Sequence, residues 1–497
     1  MPATKNRSRN TARPTRRRQT RRKPRLEPPA SCPSILEGLG IIGLEAIEPV
    51  ILAALITEEP LLLIGTHGTG KSYLLNRVSH ALGLESRHYN ASLLNYDDLV
   101  GYPLPNSQGQ LDYVQTPASI WGAQAVFLDE ISRCRPDLQN KLFPIIHERR
   151  VQGLKLDRLV YRWSAMNPPL RDDEEDDPQE RYHGSEPLDP ALADRFAFVI
   201  EMPGWDQFTT EQQEQIILRA DSDPRDEAGL QLRSLLTSCH SVLDRVRDEL
   251  SVQVAGYVRI VAAMLAQAGL RLSPRRTAIL LRNILAVHAV RLLRFGSGDL
   301  NESAWLTVTH SLPHRATELR VDPIKVLSAH REAWSLAKLD QHDPLRIVLL
   351  EPDPLRKALQ AMQISSISAP DFSTIIADSL ASLPNGARHA LAAELFESGA
   401  AGRLVAAVAD ECGELYGLLV KPQGVKEQVP ARSVRHRVWQ SIEQKLAAAP
   451  VGDSDTPMLT NLLVALFVSE ELSTETDVDT VESAWRSTRD QAKGVTA

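Results

Sequence analysis

The chain has 497 residues and a net charge of −7, with 43% hydrophobic and 24% charged residues. These values are ordinary for a soluble globular protein and leave room for about three domains. No uninterrupted run of 18 apolar residues is present, and the first ten residues lack an apolar core, so we expect neither a transmembrane helix nor a secretory signal. The cysteines form no CxxC pair, which favours a reducing compartment without structural zinc and predicts a cytoplasmic protein; they are Cys32, Cys134, Cys239 and Cys412.

The N-terminus is strongly basic. Residues 1–25 contain eleven Lys or Arg and no acid, which leaves 45 basic and 63 acidic residues, or −18, for the rest of the chain. A segment with this charge and almost no apolar residues cannot fold alone, so we predict a disordered basic arm over residues 1–30. It is either a solubility tail or a contact for nucleic acid or an acidic surface.

Apolar runs alternate with helical patterns from residue 31 to 204. Short runs typical of buried strands occupy 60–65, 123–130 and 159–169, and a helix leads into a fourth strand within 191–203. Two further helices begin at Lys71 and at Pro136. This alternation predicts an α/β fold with a parallel sheet and helices on its faces, which we assign to a nucleotide-binding core over 31–204.

Helical periodicity dominates after residue 204. We predict an all-helical lid domain over 205–340 and a further helical accessory region over 341–497. In the accessory region Leu404, Val408, Leu415 and Leu419 recur at helical spacing, but no motif with recognisable chemistry is present.

The stretch GTHGTGKS fits the phosphate-binding pattern G-x-x-x-x-G-K-[ST] and stands between a predicted strand and a predicted helix. Its backbone N–H groups and the helix N-terminus favour a bound phosphate. Lys71 is expected to reach the β- and γ-phosphates of ATP, and Ser72 to ligate Mg²⁺. The predicted nucleotide-binding residues are Gly65, Thr66, His67, Gly68, Thr69, Gly70, Lys71 and Ser72.

Two adjacent acids end the second predicted strand, in VFLDE. Asp129 at a strand end is suited to hold Mg²⁺, and Glu130 is suited to act as a general base for the attacking water. The alternative, a solvated strand terminus, is much less favoured beside a phosphate-binding loop.

These motifs resemble the MoxR family of AAA+ ATPases, within the helix-2-insert clade. The resemblance covers about residues 35–335. Four stretches carry it: FLDEISRCRPDLQNKLFPIIHERRVQG is similar to the Walker B region and its hairpin, WSAMNPP to the sensor 1 strand, LDPALADRF to the arginine-finger segment and LSPRRTAILLRN to the sensor 2 helix. It implies an AAA+ core followed by a helical lid.

The resemblance also implies roles for single residues. Asn167 would be sensor 1, Arg195 the arginine finger that acts on a neighbouring subunit, and Arg275 the lid arginine, with Arg276 as its adjacent rival. Two hairpins are implied, one within 90–121 and one within 149–163. Tyr102, Leu104 and Tyr113 in the first hairpin would either touch a substrate or only pack the hairpin.

The function implied by the resemblance is remodelling or maturation of a partner protein, driven by ATP hydrolysis with Mg²⁺ in a hexameric ring. The implied partners carry a von Willebrand factor A domain. A chelatase-like metal-insertion subunit would be close to this in mechanism. The alternative is a nucleic-acid-dependent motor or DNA-processing ATPase; the basic arm favours it, but the acidic body of the chain does not.

The stretch RDDEEDDPQE, residues 171–180, contains six consecutive carboxylates. Like charges at this density repel one another and stay solvated, so we predict a solvated insertion close to the subunit interface. The stretch lacks the Gly-punctuated ligand spacing of a calcium loop, and we do not expect a metal site there.

Overall fold

The structure, a computed structural model, describes residues 33–109, 111–169, 185–219, 226–296, 298–340, 342–421, 433–448 and 455–496. The predicted basic arm and the predicted acidic insertion lie outside the described residues. The chain divides into two compact units: the first is Met1–Val246 with Asn283–Glu318, and the second is Arg247–Arg282 with Leu319–Ala497. This division differs from the predicted boundaries after residues 204 and 340, because it assigns parts of the predicted lid to both units.

Nine strands occur in the described part of the first unit. They are β1 (Leu61–Ile64), β2 (Ser86–Asn90), β3 (Tyr102–Pro105), β4 (Leu111–Val114), β5 (Ala125–Asp129), β6 (Arg150–Val151), β7 (Leu154–Lys155), β8 (Tyr161–Met166) and β9 (Phe198–Glu201). Five of them form a parallel sheet in the order β2-β5-β8-β1-β9. The predicted α/β fold with a parallel sheet is therefore confirmed.

The central position of β1 explains its sequence. Every residue of Leu61–Ile64 is buried, and β8 and β9 pair with the two edges of the strand. Parallel strands covered on both faces favour continuous aliphatic runs. The carboxyl ends of β1 and β8 are level, with Ile64 opposite Met166, and β5 pairs with β8 on its other side. The residues that follow these three strands therefore meet at one edge of the sheet.

Nine α-helices begin in the described part of the first unit, and a tenth, α9, ends in it. They are α1 (Ile35–Gly38), α2 (Glu48–Thr57), α3 (Lys71–Leu82), α4 (Tyr96–Val100), α5 (Pro136–Glu148), α6 (Pro190–Ala193), α7 (Thr210–Arg219), α8 (Asp226–Gln267), α9 (Pro274–Phe295) and α10 (Leu300–Thr309). Helix α8 continues into the second unit, and α9 begins there and ends in the first. The predicted helices at Lys71 and Pro136 are both present.

The two implied hairpins are also present. Strands β3 and β4 pair antiparallel, as do β6 and β7. Tyr113 of β4 packs partly against the core and donates its hydroxyl to Gln152 Oε1 in the β6–β7 turn at 2.5 Å, which connects the hairpins. Tyr102 and Leu104 of β3 are 50% and 53% exposed.

The second unit is helical in its described part, as predicted. Its remaining helices are α11 (Pro323–Ala337), α12 (Pro344–Leu349), α13 (Pro354–Gln363), α14 (Ala369–Ser382), α15 (Asn385–Glu397), α16 (Ala406–Val420), α17 (Val434–Ala448), α18 (Thr456–Val468) and α19 (Glu475–Thr496). Several begin at a side-chain N-cap, including Asp322, Asp343 and Asp353. Two hydrophobic clusters form the interior, one around Phe372 and the other around Trp485.

Helix α8 contains a stretch, Glu227–Gln267, that is long and apolar enough to cross a membrane by length and composition alone. In its most apolar 18-residue window, 39% of the residues are buried. A single helix of this kind is weak evidence for a membrane span, since core helices of soluble proteins pass the same test.

Candidate functional site

The loop between β1 and α3 needs its glycines. Gly68 and Gly70 have φ values of 76° and 78°, in the left-handed region that favours glycine. At Gly65 a Cβ atom would stand 2.6 Å from Thr69 Oγ1 and 2.9 Å from Met202 Cβ, so a side chain does not fit there. The motif thus produces a tight backbone turn directly before the N-terminus of α3.

Lys71 is the buried cation of this loop, with 9% exposure. Its Nζ donates to Gly65 O at 2.7 Å, Thr66 O at 2.9 Å and Asn167 Oδ1 at 3.4 Å. Burial lowers the pKa of Lys71, while the charges of Asp129 and Glu130 oppose that shift. Its ammonium group is therefore fixed by neutral oxygens and stays available to a phosphate.

Ser72 and Asp129 are brought together across the edge of the sheet. Ser72 Oγ donates to Asp129 Oδ2 at 2.9 Å, and the Glu130 amide donates to Asp129 Oδ1 at 2.9 Å. Burial would raise the pKa of Asp129, but hydrogen bonds from His88, Ser72 and the Glu130 amide lower it on balance. A hydroxyl and an ionised carboxylate are hard oxygen donors, so this pair fits Mg²⁺.

Glu130 follows in an unusual backbone conformation, with φ 54°. Such left-handed geometry at a non-glycine residue costs of the order of 1–3 kcal/mol and is concentrated at functional sites. The carboxylate lies 3.7 Å from Arg133 Nη1, and the side chain is 27% exposed. Glu130 is thus held at the site but remains open to solvent, as a general base requires.

Asn167 follows β8 and is 4% exposed. Its Oδ1 faces Lys71, and its Nδ2 lies 3.3 Å from His67 Nε2. Its backbone carbonyl accepts a hydrogen bond from Ser185 Oγ at 3.1 Å, and Ser185 Oγ lies 3.2 Å from Ser132 Oγ. Lys71 and His67 thus contact the two polar atoms of the Asn167 side chain, and Ser185 holds its backbone, so the side-chain amide is fixed beside the phosphate loop.

These residues surround one cavity of about 320 Å³. It combines most of the phosphate loop with both acids and the Asn167 amide; its lining is His67, Gly68, Thr69, Gly70, Lys71, Ser72, Tyr73, Asp129, Glu130, Met166 and Asn167. The sequence had indicated all of these except Tyr73 and Met166. The arrangement can bind a polyphosphate, hold a divalent cation and present a carboxylate to a water molecule.

The two predicted arginines are placed differently. Arg195 Nη1 donates to Ala191 O, its Cζ lies 4.4 Å from the ring centroid of Phe143, and it does not line the cavity. Arg275 belongs to the second unit and is exposed, whereas the adjacent Arg276 is fully buried. The roles of Arg195 and Arg275 stay predictions.

Two further residues beside the site, neither of them in the lining of the cavity, were not indicated by the sequence. Ser185 supports the backbone of Asn167, and His88 Nε2 lies 3.4 Å from Asp129 Oδ2. His88 belongs to β2, an edge strand in which only Tyr89 is buried, so it lacks the apolar pattern that predicts a strand. No motif identifies either residue, because each acts through a neighbour.

One of three comparisons with known proteins agrees with this geometry. Residues 60–196 match the family described as AAA domain (dynein-related subfamily). A candidate ATPase of known crystal structure from Cytophaga hutchinsonii is 17% identical and aligns with a TM-score of 0.42 over 62% of this chain and 93% of that chain, too low a score to support an argument. A search of curated proteins gives no significant match. Residues 60–196, which contain the phosphate loop, the acid pair and Asn167, are therefore similar to an AAA domain, and their geometry fits a bound nucleotide.

Proposed function

We propose that the chain is a Mg²⁺-dependent ATPase of the MoxR type. One observation carries the proposal: Lys71, the Ser72–Asp129 pair, Glu130 and Asn167 meet around a single cavity directly after a glycine-rich turn. Each side chain has the chemistry that one part of phosphoryl transfer requires.

In the proposed reaction the loop amides and Lys71 bind the β- and γ-phosphates. Ser72 and Asp129 hold Mg²⁺, which when bound neutralises charge on the phosphates. Glu130 accepts a proton from the attacking water, and Asn167 orients that water or contacts the γ-phosphate. The water oxygen bonds to the γ-phosphorus as the bond to the β–γ bridging oxygen breaks, and ADP leaves with the electron pair.

We further propose that the chain acts in the cytoplasm as a hexameric ring on a partner protein with a von Willebrand factor A domain. The resemblance of residues 35–335 to the MoxR family supports this. A finger arginine serves a neighbouring subunit, which agrees with Arg195 lying outside the lining of the cavity in its own chain. The half-exposed Tyr102 and Leu104 on β3 give a client protein an apolar contact.

Phosphate release by the purified chain tests the core of the proposal. We expect hydrolysis that needs both ATP and Mg²⁺, and we expect Lys71→Ala to lose nucleotide binding and activity. Activity that survives in Lys71→Ala, or that does not need Mg²⁺, would contradict it.

The client and assembly need separate measurements. Native mass spectrometry should show a hexamer in the presence of nucleotide. Purified partners with the DxSxS motif of a von Willebrand factor A domain should bind the ring in a nucleotide-dependent way. Strong stimulation of hydrolysis by polynucleotide, with no binding of such partners, would favour the nucleic-acid-dependent motor instead.

A further inference from the structure

We propose that His88 is a positioning residue that holds the Asp129 carboxylate in place for Mg²⁺-nucleotide. The inference rests on the proposed function and adds a residue from outside the phosphate loop and the acid pair. His88 Nε2 lies 3.4 Å from Asp129 Oδ2, which is the oxygen that also accepts the hydrogen bond from Ser72.

The His88 imidazole packs against the ring of Phe127, its neighbour in the sheet. His88 stands opposite Phe127 in the β2–β5 register, and the two ring centroids are 4.3 Å apart with a tilt of 32°. Asn90, two residues further along β2, stands opposite Asp129. Strand geometry and ring contact therefore fix the direction in which Nε2 points.

The donors to Asp129 are not equivalent. The Glu130 amide holds Oδ1, while Ser72 and His88 both face Oδ2. Ser72 is also an expected Mg²⁺ ligand, so its hydroxyl has two roles. His88 has no expected ligand role, and it can hold Oδ2 whether or not Ser72 is engaged elsewhere.

The hydrogen bond requires an N–H group and no positive charge, because a neutral imidazole still carries one donor nitrogen. Groups that orient metal ligands are worth about 10- to 100-fold in metal affinity. The His88 side chain is 43% exposed, so we expect an effect near the lower end, about tenfold.

Two variants separate the hydrogen bond from the ring contact. His88→Phe keeps an aromatic ring on Phe127 and removes the donor, whereas His88→Gln restores a donor without the ring. His80→Phe is the matched control, since His80 is an exposed histidine on α3. If His88→Phe does not fold, His88→Leu carries the same test.

The measurement is the affinity of a fluorescent ADP with Mg²⁺ and with EDTA, at a single pH for all variants. We expect His88→Phe to reduce the gain in affinity that Mg²⁺ gives by about tenfold, with unchanged affinity in EDTA and an unchanged melting temperature. His88→Gln should recover most of the gain, and His80→Phe should behave as wild type.

An unchanged Mg²⁺ gain in His88→Phe, or a loss in His88→Gln as large as in His88→Phe, would overturn the role of the hydrogen bond. Failure of the wild-type chain to bind nucleotide more tightly with Mg²⁺ would instead contradict the proposed function. The two failures are therefore distinguishable in one set of titrations.

Discussion

Each compact unit contains a deeply buried cation, but one cation contacts neutral oxygens and the other contacts carboxylates. In the first unit Lys71 is surrounded by two backbone carbonyls and an amide oxygen. In the second unit Arg489 of α19, with 7% exposure, bonds to three carboxylates: Glu394 and Glu397 of α15 and Asp455, the N-cap of α18, at 2.7–2.9 Å.

The difference shows in their proton affinities. Burial lowers the pKa of Lys71, and the charges of Asp129 and Glu130 do not overcome that shift. Burial also opposes the charge of Arg489, but Asp455 and Glu397 raise its pKa on balance. The charge of Arg489 is matched within the fold and joins helices, whereas the charge of Lys71 is suited to an anion that comes from solution.

The largest effect is expected from Arg195, which we propose completes the first unit's site from a neighbouring subunit. Arg195→Ala should lower ATP hydrolysis by about 10³- to 10⁵-fold, because a finger arginine stabilises transition-state charge. Nucleotide affinity should change little.

Mixing supplies the control for Arg195. Rings that contain both Arg195→Ala and Lys71→Ala subunits should recover part of the activity at interfaces that combine an intact loop with an intact finger. No recovery in rings shown to be mixed would mean that Arg195 acts in its own chain or has no catalytic role.

The comparison of buried cations gives the next prediction. Arg489→Met leaves three carboxylates without their common partner and should lower the free energy of unfolding by about 3–5 kcal/mol. Arg486→Met on the same helix removes a half-exposed pair with Glu482 and should cost less than about 1 kcal/mol. Denaturant titration measures both losses of unfolding free energy. Equal losses would show that the ion pairs of Arg489 stabilise the unit no more than the pair of Arg486 does.

Acid should affect the second unit through His330, which is 3% exposed and whose Nδ1 lies 2.7 Å from the Tyr257 hydroxyl. Burial, with a smaller contribution from Arg331, lowers its pKa to about 4. Between about pH 6.5 and pH 4 the unfolded chain therefore binds the proton and the folded chain does not, so stability falls as pH falls, by up to about 3 kcal/mol.

His330→Gln keeps an acceptor for Tyr257 and cannot titrate in this range. It should flatten the pH dependence of the melting temperature between about pH 6.5 and pH 4. A wild-type slope in His330→Gln would assign the dependence to other groups.

The smallest effect is expected from the acidic stretch within 171–180. Replacement of its six carboxylates by Ser and Asn should leave the fold intact and change nucleotide affinity only modestly. The change should be larger at low salt, because charges are screened beyond about 8 Å at physiological ionic strength. Loss of tight Ca²⁺ binding or of folding on replacement would contradict a solvated insertion.

The sequence was most informative where one residue pattern has one structural solution. The aliphatic run at 60–65 forms β1. The apolar run at 123–130 contains β5, and the helical pattern that begins at Pro136 forms α5. Six of the eight predicted phosphate-loop residues, His67 to Ser72, line one cavity together with Asp129, Glu130 and Asn167, whereas Gly65 and Thr66 do not line it.

The sequence was least informative where a residue's role depends on a neighbour in space. Strand β2 is exposed along most of its length and was not predicted, and His88 was missed with it. Ser185 reaches Asn167 only through the fold.

Glu130→Gln gives the most direct test of the central claim that this cavity hydrolyses ATP. The substitution preserves size and hydrogen bonding but removes the base, so Mg²⁺-ATP should bind with near wild-type affinity. Single-turnover hydrolysis should fall by about 10²- to 10⁴-fold. Hydrolysis at a near wild-type rate in Glu130→Gln, with nucleotide bound in the same site, would contradict the account.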